Sequence, residues 1–402
     1  MLRTEKTNKS PEKGEKENIM KFTVEKSVLM NKLTPAMGTV SNKNTISSLE
    51  GVLIETMPGA RVRISTYDMN KGVRATFDCV SVEREGSFIV NAQRFYQTVR
   101  VLPQDDITIE VDDKYNCTVT SGKSTFSMFA LAGGEFPNLP DLMTERGFRV
   151  NAATLRKMIS KVQHSVAEQD NRPMLCGAYF DVSNGKMEVV SCDSFTLSKC
   201  TQKLDYETLG SEVLEKYSFI IPGHALPEIM RILPDDEEEM VDFYLSRKHA
   251  ILRMTDMIFF TRTIDSDYIQ YNNLLPRDNH IQLTVERERL LSALERANII
   301  AEEKIQGSGR SYVKLTVDGR FITITSESVN GRVYDEVDCI HEGDSIEIGF
   351  NCRYLINSIK VAEGENIIIT MKGPTQSITI EPEEVDEEFS YFYMILPVRM
   401  NG

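Results

Sequence analysis

Asp235–Glu239 is an unbroken run of five acidic residues, and clustered carboxylates are the raw material of a two-metal phosphoryl-transfer site. Such a site needs its carboxylates fixed on rigid elements, with metals about 4 Å apart. A run in the turn between a helix and a strand meets neither need, so a solvated loop is expected. The five histidines (His164, His224, His249, His280, His341) lie far apart, without the HExxH spacing that puts two imidazoles on one helix face. The seven cysteines (Cys79, Cys117, Cys176, Cys192, Cys200, Cys339, Cys352) include no CxxC pair, so reduced thiols are expected rather than a zinc site or a disulfide framework. Gly133-Gly134 lacks the lysine of a phosphate loop, and GxSxG is absent. No catalytic residue, metal site or cofactor is expected.

What remains is charge. A formal net charge of −14 argues against a chain that neutralises many phosphates, unless the charge is unevenly spread. Across the segments of helical pattern the basic residues are Lys26, Lys32, Arg94, Arg100, Arg156, Lys157, Lys161, Arg231, Arg287, Arg289, Arg296, Arg353 and Lys360, against Glu25, Glu228, Glu286, Glu288 and Glu295. The helices thus carry about +8 and the rest of the chain about −22. Helices accept Glu as readily as Lys or Arg, so propensity does not produce this sign. A shared cationic surface facing phosphates is expected, inside an acidic exterior that discourages adventitious binding. Loose contacts to the phosphate backbone are blind to sequence and let DNA slide.

The elements that would position these side chains repeat with a period of roughly 130 residues. From Ser87 the chain reads SFIVNAQRFYQTVRVLPQDDITIEV, from Ser218 SFIIPGHALPEIMRILPDDEEEMVDFYL, and from Ser345 SIEIGFNCRYLINSIKVAEGENIIITM. Each is a short apolar strand, a helix of about ten residues, an acidic turn and another strand. A second half precedes each one, with helices near Glu25–Val40, Ala152–Ala167 and Val285–Ala301 and then alternating strand pairs. Asn184-Gly185 and Asp318-Gly319 are hairpin turns that need positive φ. The fold class is α+β: three similar domains, each a duplicated helix-plus-strands unit. Residues 1–19 are expected to be a disordered extension, with domains over 20–145, 146–275 and 276–402.

A chain of 402 residues is long enough for such domains. No window reaches the roughly 18 apolar residues of a membrane span, and the charged N-terminus lacks the apolar stretch of a secretory signal, so a cytoplasmic protein is expected.

KFTVEKSVLMNKL after Met20, FIVNAQRFYQTVRVLP, GGEFPNLP (Gly133–Pro140), AEQDNRPMLCGAYFD (Ala167–Asp181), IEIGFNCRYL and the terminal YMILPVRM together resemble the bacterial β sliding clamp, the β subunit of DNA polymerase III. The strings run collinearly from Met20 to the C-terminus. The resemblance implies a non-enzymatic processivity factor whose chain is a half ring, closed by a head-to-tail homodimer with helices lining the hole and sheets outside. Twelve helices at about 10 Å between axes give a circumference of about 120 Å and about 28 Å of free diameter, enough for a duplex.

By position, the resemblance implies DNA contacts at Lys43, Arg94, Arg100 and Gln169, to which the helical cations Arg156, Lys157 and Lys161 are added. It implies a dimer interface at Phe126 and Met128 on one side and Ile299 and Ile300 on the other. It also implies a groove for short linear motifs of polymerase, clamp loader and repair proteins, built from Leu175, Cys192, Ser194, Phe195, Thr196, Leu197, Ile269, Asn273, Leu274, Ser377, Met394, Leu396, Pro397, Val398, Arg399 and Met400. Here the chain departs from its family. Phe195-Thr196 stands where His-Arg is usual, Ile269 and Asn273 replace a proline and an arginine, and Asn401-Gly402 extend the usual end. The groove should stay apolar but hold acidic partner residues less well. Two alternatives stay open: a divergent clamp paralogue with altered clients, and a catalytic polymerase or nuclease subunit.

Overall fold

The computed structural model describes residues 18–41, 46–103, 105–204, 206–211, 215–234, 236, 238–302, 312–384 and 386–400. Lys43, Asp235, Glu237 and residues 1–17 of the expected extension lie outside the described residues. The first strand, Asn18–Glu25, begins two residues before Met20.

Six α-helices are described: α1 Lys26–Ala36, α2 Ala92–Val101, α3 Ala152–Val162, α4 Leu226–Ile232, α5 Arg287–Ala301 and α6 Cys352–Val361. Three of them start on the same device. Asn91, Asn151 and Asn351 precede α2, α3 and α6, and their side-chain oxygens accept from Arg94 N (3.0 Å), Thr154 N (2.9 Å) and Arg353 N (3.1 Å). Leu102-Pro103 and Leu233-Pro234 end α2 and α4, because the residue before proline is pushed out of the helical region. The inward stripe of α3 is Ala152, Leu155, Met158, Ile159 and Val162, the spacing of one helix face. In the first copy α1 stops at Ala36, one residue past Pro35, and a 3-10 turn Met37–Thr39 completes the segment expected to be helical to Val40.

The described chain forms two compact units, one holding residues up to Asp141 with Met254–Phe260, the other Leu142–Arg253 and the residues from Thr261 on. The second unit contains two copies of the repeat joined through backbone. Strand Thr196–Lys203 pairs with Lys186–Cys192 on one side and with Phe389–Ile395 on the other. In the first unit Gly51–Met57 pairs with both Arg61–Tyr67 and Ser87–Asn91. Ser124–Ala132 pairs with Asn116–Ser121 through its first half and with Ser87–Asn91 through its last residues.

Both expected hairpins form, but their central residues differ. Asn184 and Gly185 both take positive φ (54° and 69°), between the paired Ser183 and Lys186. At the other turn Asp318 pairs with Phe321, so the central pair is Gly319-Arg320, with Gly319 at φ 68°. Glycine first in a two-residue loop is the type II′ arrangement.

Phe148 anchors the core of the second copy, stacked on Phe243 with centroids 5.1 Å apart, while Phe219 lies 5.1 Å from Phe243 and also from Phe180. A fully buried phenylalanine contributes about 1.5–3 kcal/mol. No helix among the described residues is long and apolar enough to cross a membrane.

Candidate functional site

The cations on the helices do two different things. The first is to cap. In the first copy Lys26 of α1 donates to the carbonyls of Arg100 (2.9 Å) and Leu102 (2.5 Å) at the end of α2. In the second, Arg156 of α3 donates to Leu233 O and, at 3.0 Å, to Pro234 O beyond α4. In the third, Arg287 of α5 donates to Gly364 O beyond α6 at 3.2 Å. In the first two copies the leading helix of a pair supplies a cation to the orphan end carbonyls of the following helix, where the helix dipole also favours positive charge; in the third the acceptor lies three residues past the end of α6. Capping was not expected of these residues, which belong to the cationic surplus of the helices; their recurrence in the leading helices is the signal for it.

Lys161 carries the same chemistry across the junction between the second and third copies. Its ammonium donates to Val361 O at the end of α6 (2.5 Å) and pairs with Glu363 (2.7 Å). Its side chain is 4% exposed, and burial lowers its pKa, with Glu363 opposing. In this arrangement Lys161 is unavailable to a phosphate, contrary to expectation, because its charge is already satisfied inside the protein. Lys157, one turn earlier, is half-buried 4.0 Å above the Phe389 ring and 3.5 Å from Glu363.

The second use is on the surface. Lys32 pairs with Asp256, Arg231 with Glu228 (2.9 Å), Arg289 with Glu286 (2.6 Å), Arg296 with Asp335 (2.6 Å) and Arg353 with Glu302 (2.6 Å). Surface pairs of this kind are worth about 0–1 kcal/mol. Among the described residues the side chains of Arg94, Arg100 and Lys360 are exposed and have no hydrogen-bonding or charged partner. Gln169 is exposed in the loop between the 3-10 turns Gln163–Ser165 and Pro173–Cys176.

The groove candidates divide into floor and rim. Leu175, Cys192, Leu197 and Met394 are buried in one cluster with Val190 and Tyr271, and Tyr268, Ile269 and Leu275 pack against it. Phe195, Leu274 and Leu396 stand out of it at 55%, 49% and 39% exposure. The turn bearing Phe195 is tightly held. Asp193 Oδ1 accepts from Phe195 N (2.9 Å) and Thr196 N (2.6 Å), and Ser194 takes φ 80°. Phe195 O accepts from Leu396 N at 2.8 Å, and its ring stacks on Tyr354 of α6. Tyr354 was not among the residues expected here.

Arg172 grips Asp170 with two bonds (3.0 and 2.9 Å) and also donates to Ser194 Oγ, so a cation stands beside the turn although two expected arginines are missing. Those bonds hold the Asp170 carboxyl down at about 2. Asn273 is exposed and Ser377 half-buried, as are Pro397, Val398 and Met400, while Arg399 is exposed. The last residues are drawn elsewhere. Val398 N donates to Gly349 O at 2.8 Å, and a Cβ on Gly349 would lie 2.8 Å from Met400 Cγ, so Met400 packs over strand Ile346–Phe350 rather than on the Leu175 cluster.

An open cavity of about 1290 Å³ lies beside residues 263–272, lined by Arg146, Lys216, Ser218, Arg247, Asp265 and Tyr268 among others. Of the groove candidates only Ile269 borders it.

Two strands offer open backbone. Residues 124–129 of Ser124–Ala132 are paired along one edge only among the described residues, and so are residues 332–338 of Arg332–Glu342. Unpaired edges are templates for another strand. Phe126 is 39% exposed, but Met128 is 7% exposed and faces inward; the outward residue is Phe129, at 83%. Alternation along a strand makes a neighbour the exposed one. Near the second edge Ile299 is 72% and Tyr334 66% exposed, while Ile300 is half-buried, 3.4 Å from where a Cβ on Gly331 would stand.

Three family models match in tandem: DNA polymerase III beta subunit N-terminal domain over residues 20–140, central domain over 149–270 and C-terminal domain over 272–399. The chain is 29% identical over 391 residues to the beta sliding clamp of Bacillus subtilis (strain 168), covering 94% of this chain and 100% of that one. It is 27% identical over 384 residues to that of Halalkalibacterium halodurans, covering 93% and 98%. The crystal structure of the Bacillus subtilis DNA polymerase sliding clamp matches with TM-score 0.84 at 27% identity, covering 95% of this chain and all of that one. That of the Thermotoga maritima DNA polymerase III beta subunit matches with TM-score 0.85 at 24% identity over the same shares.

Proposed function

The chain belongs to the DNA polymerase III beta subunit family, and from that premise we propose that it is a non-catalytic sliding clamp whose head-to-tail homodimer encircles duplex DNA and tethers the replicative polymerase. The observation that carries this reading is the collinear match of three domain models across residues 20–399. Domains over 20–145, 146–275 and 276–402 make each chain a half ring, working in the cytoplasm. Retention is topological: a loaded ring should stay on a circular template and run off when it is linearised. Equal loss from circular and linear DNA would sink the reading.

The two open edges support the mode of assembly. Strand 124–129 of one protomer, bordered by Phe126 and Phe129, would pair with strand 332–338 of the next, near Ile299 and Ile300. Different patches meet in such a contact, and two protomers close it. Arg94, Arg100, Gln169, Arg156 and Lys157 are the DNA-facing candidates, and Lys43 is added by the family resemblance alone. Clients would dock short motifs over the Leu175 cluster, in the manner of apolar grooves that take peptide anchors.

The Phe195–Tyr354 stack favours one refinement, a groove whose clients differ from those of a clamp with His-Arg at this turn. Wild-type-like affinity for a consensus clamp-binding peptide would remove the reason for it.

A further inference from the structure

Behind the rim turn runs a line of buried hydroxyls. Thr196 Oγ1 lies 3.0 Å from Asp193 Oδ1 and 2.9 Å from Ser165 Oγ. Ser165 Oγ is 2.7 Å from Ser198 Oγ, which is 3.1 Å from His164 Nε2. Ser358 Oγ of α6 is a longer neighbour of the same nitrogen, at 3.4 Å. Thr196, Ser165 and Ser198 are all buried, so water cannot substitute for a missing partner.

Thr196 Oγ1 is aimed as a donor at both Asp193 Oδ1 and Ser165 Oγ, and one hydroxyl has one proton to give. The sense in which the remaining links run through Ser165 and Ser198 sets the tautomer of the neutral His164 ring. Its Nδ1 is buried with no hydrogen-bond partner among the described residues. Donors aligned head to tail polarise one another and strengthen the chain.

The first copy of the repeat provides an internal control. Its 3-10 turn Met37–Thr39 corresponds to Gln163–Ser165, with Gly38 at the place of His164. There the buried pair Thr39–Thr66 (2.6 Å) closes on the carbonyl of Ala36, and among the described residues no further side chain extends it. The extended chain is thus present in the second copy and absent, among the described residues, from the first.

We propose that His164 is a positioning residue for the Asp193–Thr196 turn, and through it for Phe195 at the groove rim, acting along this hydrogen-bonded chain rather than by contact with a client. The inference rests on the groove reading for its consequence, but the chain itself can be tested apart from it.

The test has two arms on the full-length protein. In the first, two-bond ¹H–¹⁵N spectra of histidine-labelled protein, assigned with His164→Phe, should show a neutral ring held in a single tautomer at pH 7. Asp193→Asn or Ser198→Ala should move the His164 ring nitrogens by several ppm; spectra unchanged in both variants overturn the chain. In the second, a consensus clamp-binding peptide should bind His164→Phe and Ser198→Ala about five- to tenfold more weakly than wild type, the loss of one buried hydrogen bond. The double variant should bind no more weakly than either single one, and His164→Gln, whose amide can donate or accept, should recover most of the affinity. Wild-type affinity in both single variants, or additive losses in the double, overturns the positioning role. If wild type itself fails to bind the peptide, the groove reading falls and the first arm alone decides the chain.

Discussion

Phe195 and Tyr354 stack with ring centroids 5.8 Å apart and planes 18° from parallel, so a turn of the second copy and a helix of the third meet in one aromatic contact. Such pairs contribute about 0.5–1.5 kcal/mol beyond their buried area. Phe195 remains 55% exposed, which leaves ring surface for a client side chain. Phe195→Ala is expected to lower affinity for a consensus clamp-binding peptide about tenfold in a fluorescence-anisotropy titration, and Phe195→Tyr to leave it nearly unchanged. Equal affinity in all three proteins would show that the ring is not part of the binding surface.

Asn273 stands exposed where the family usually has arginine. Asn273→Arg should bind a peptide with a flanking carboxylate several-fold more tightly than wild type does. The gain should fade between low and physiological salt, since exposed charges are screened beyond a Debye length of about 10 Å. A gain that ignores salt would mean that something other than the restored charge is responsible.

Phe129 and Met128 are adjacent yet should fail differently. Phe129→Asp puts a charge on the outward side of the open strand and is expected to shift the protein from dimer to monomer in light scattering, with its melting behaviour little altered. Met128→Ala hollows the core and should cost about 2–5 kcal/mol of protomer stability. A monomeric Met128→Ala protein of undiminished stability would reverse the assignment of the two faces.

The repeat and the helix order were legible in the sequence because amphipathic spacing is a local signal and recurs with a period of roughly 130 residues, whereas the asparagine caps at Asn91, Asn151 and Asn351 came only with the structure. The groove floor was legible only through family resemblance, since nothing in the spacing of Leu175, Cys192 and Met394 predicts that they meet. Two features were not legible. Which of Met128 and Phe129 points outward depends on register, and a shift of one residue exchanges the faces. Whether a lysine serves phosphate or protein depends on what lies opposite, and Val361 and Glu363, the partners of Lys161, are some two hundred residues away in the chain. Tyr354 was missed for the same reason.

His164 should make stability depend on pH in a definite direction. Burial, with Lys161 nearby, lowers its pKa from 6.5 to about 4. The folded protein keeps it neutral while the unfolded chain protonates it near 6.5, so its contribution is fully present above that pH and is lost as pH falls toward 4. The gap corresponds to roughly 3 kcal/mol. Denaturant titrations of wild type and His164→Phe at about pH 7.5 and 4.5 should show the variant gaining on wild type by most of that amount at the lower pH. A constant difference between the two would mean that His164 does not titrate as its burial implies.

Arg94 and Lys161 both sit on helices of the cationic set, but only one has charge to offer. Each phosphate contact contributes about one to the slope of log affinity against log salt. Arg94→Ala with Arg100→Ala should therefore weaken equilibrium binding to duplex DNA and flatten that slope by about two. Retention of a loaded ring on circular DNA should persist, because topology and not affinity holds it. Lys161→Ala should leave the slope unchanged and instead lower the melting temperature, since it strips Val361 O of its donor and Glu363 of its counter-charge at a buried seam. Removing one partner of a buried pair costs about 3–5 kcal/mol, and the half-exposed Glu363 should bring the loss below that range. If Lys161→Ala flattens the slope as much as a loss of Arg94 does, the lysine reaches phosphate in the assembled ring and the seam must open to let it.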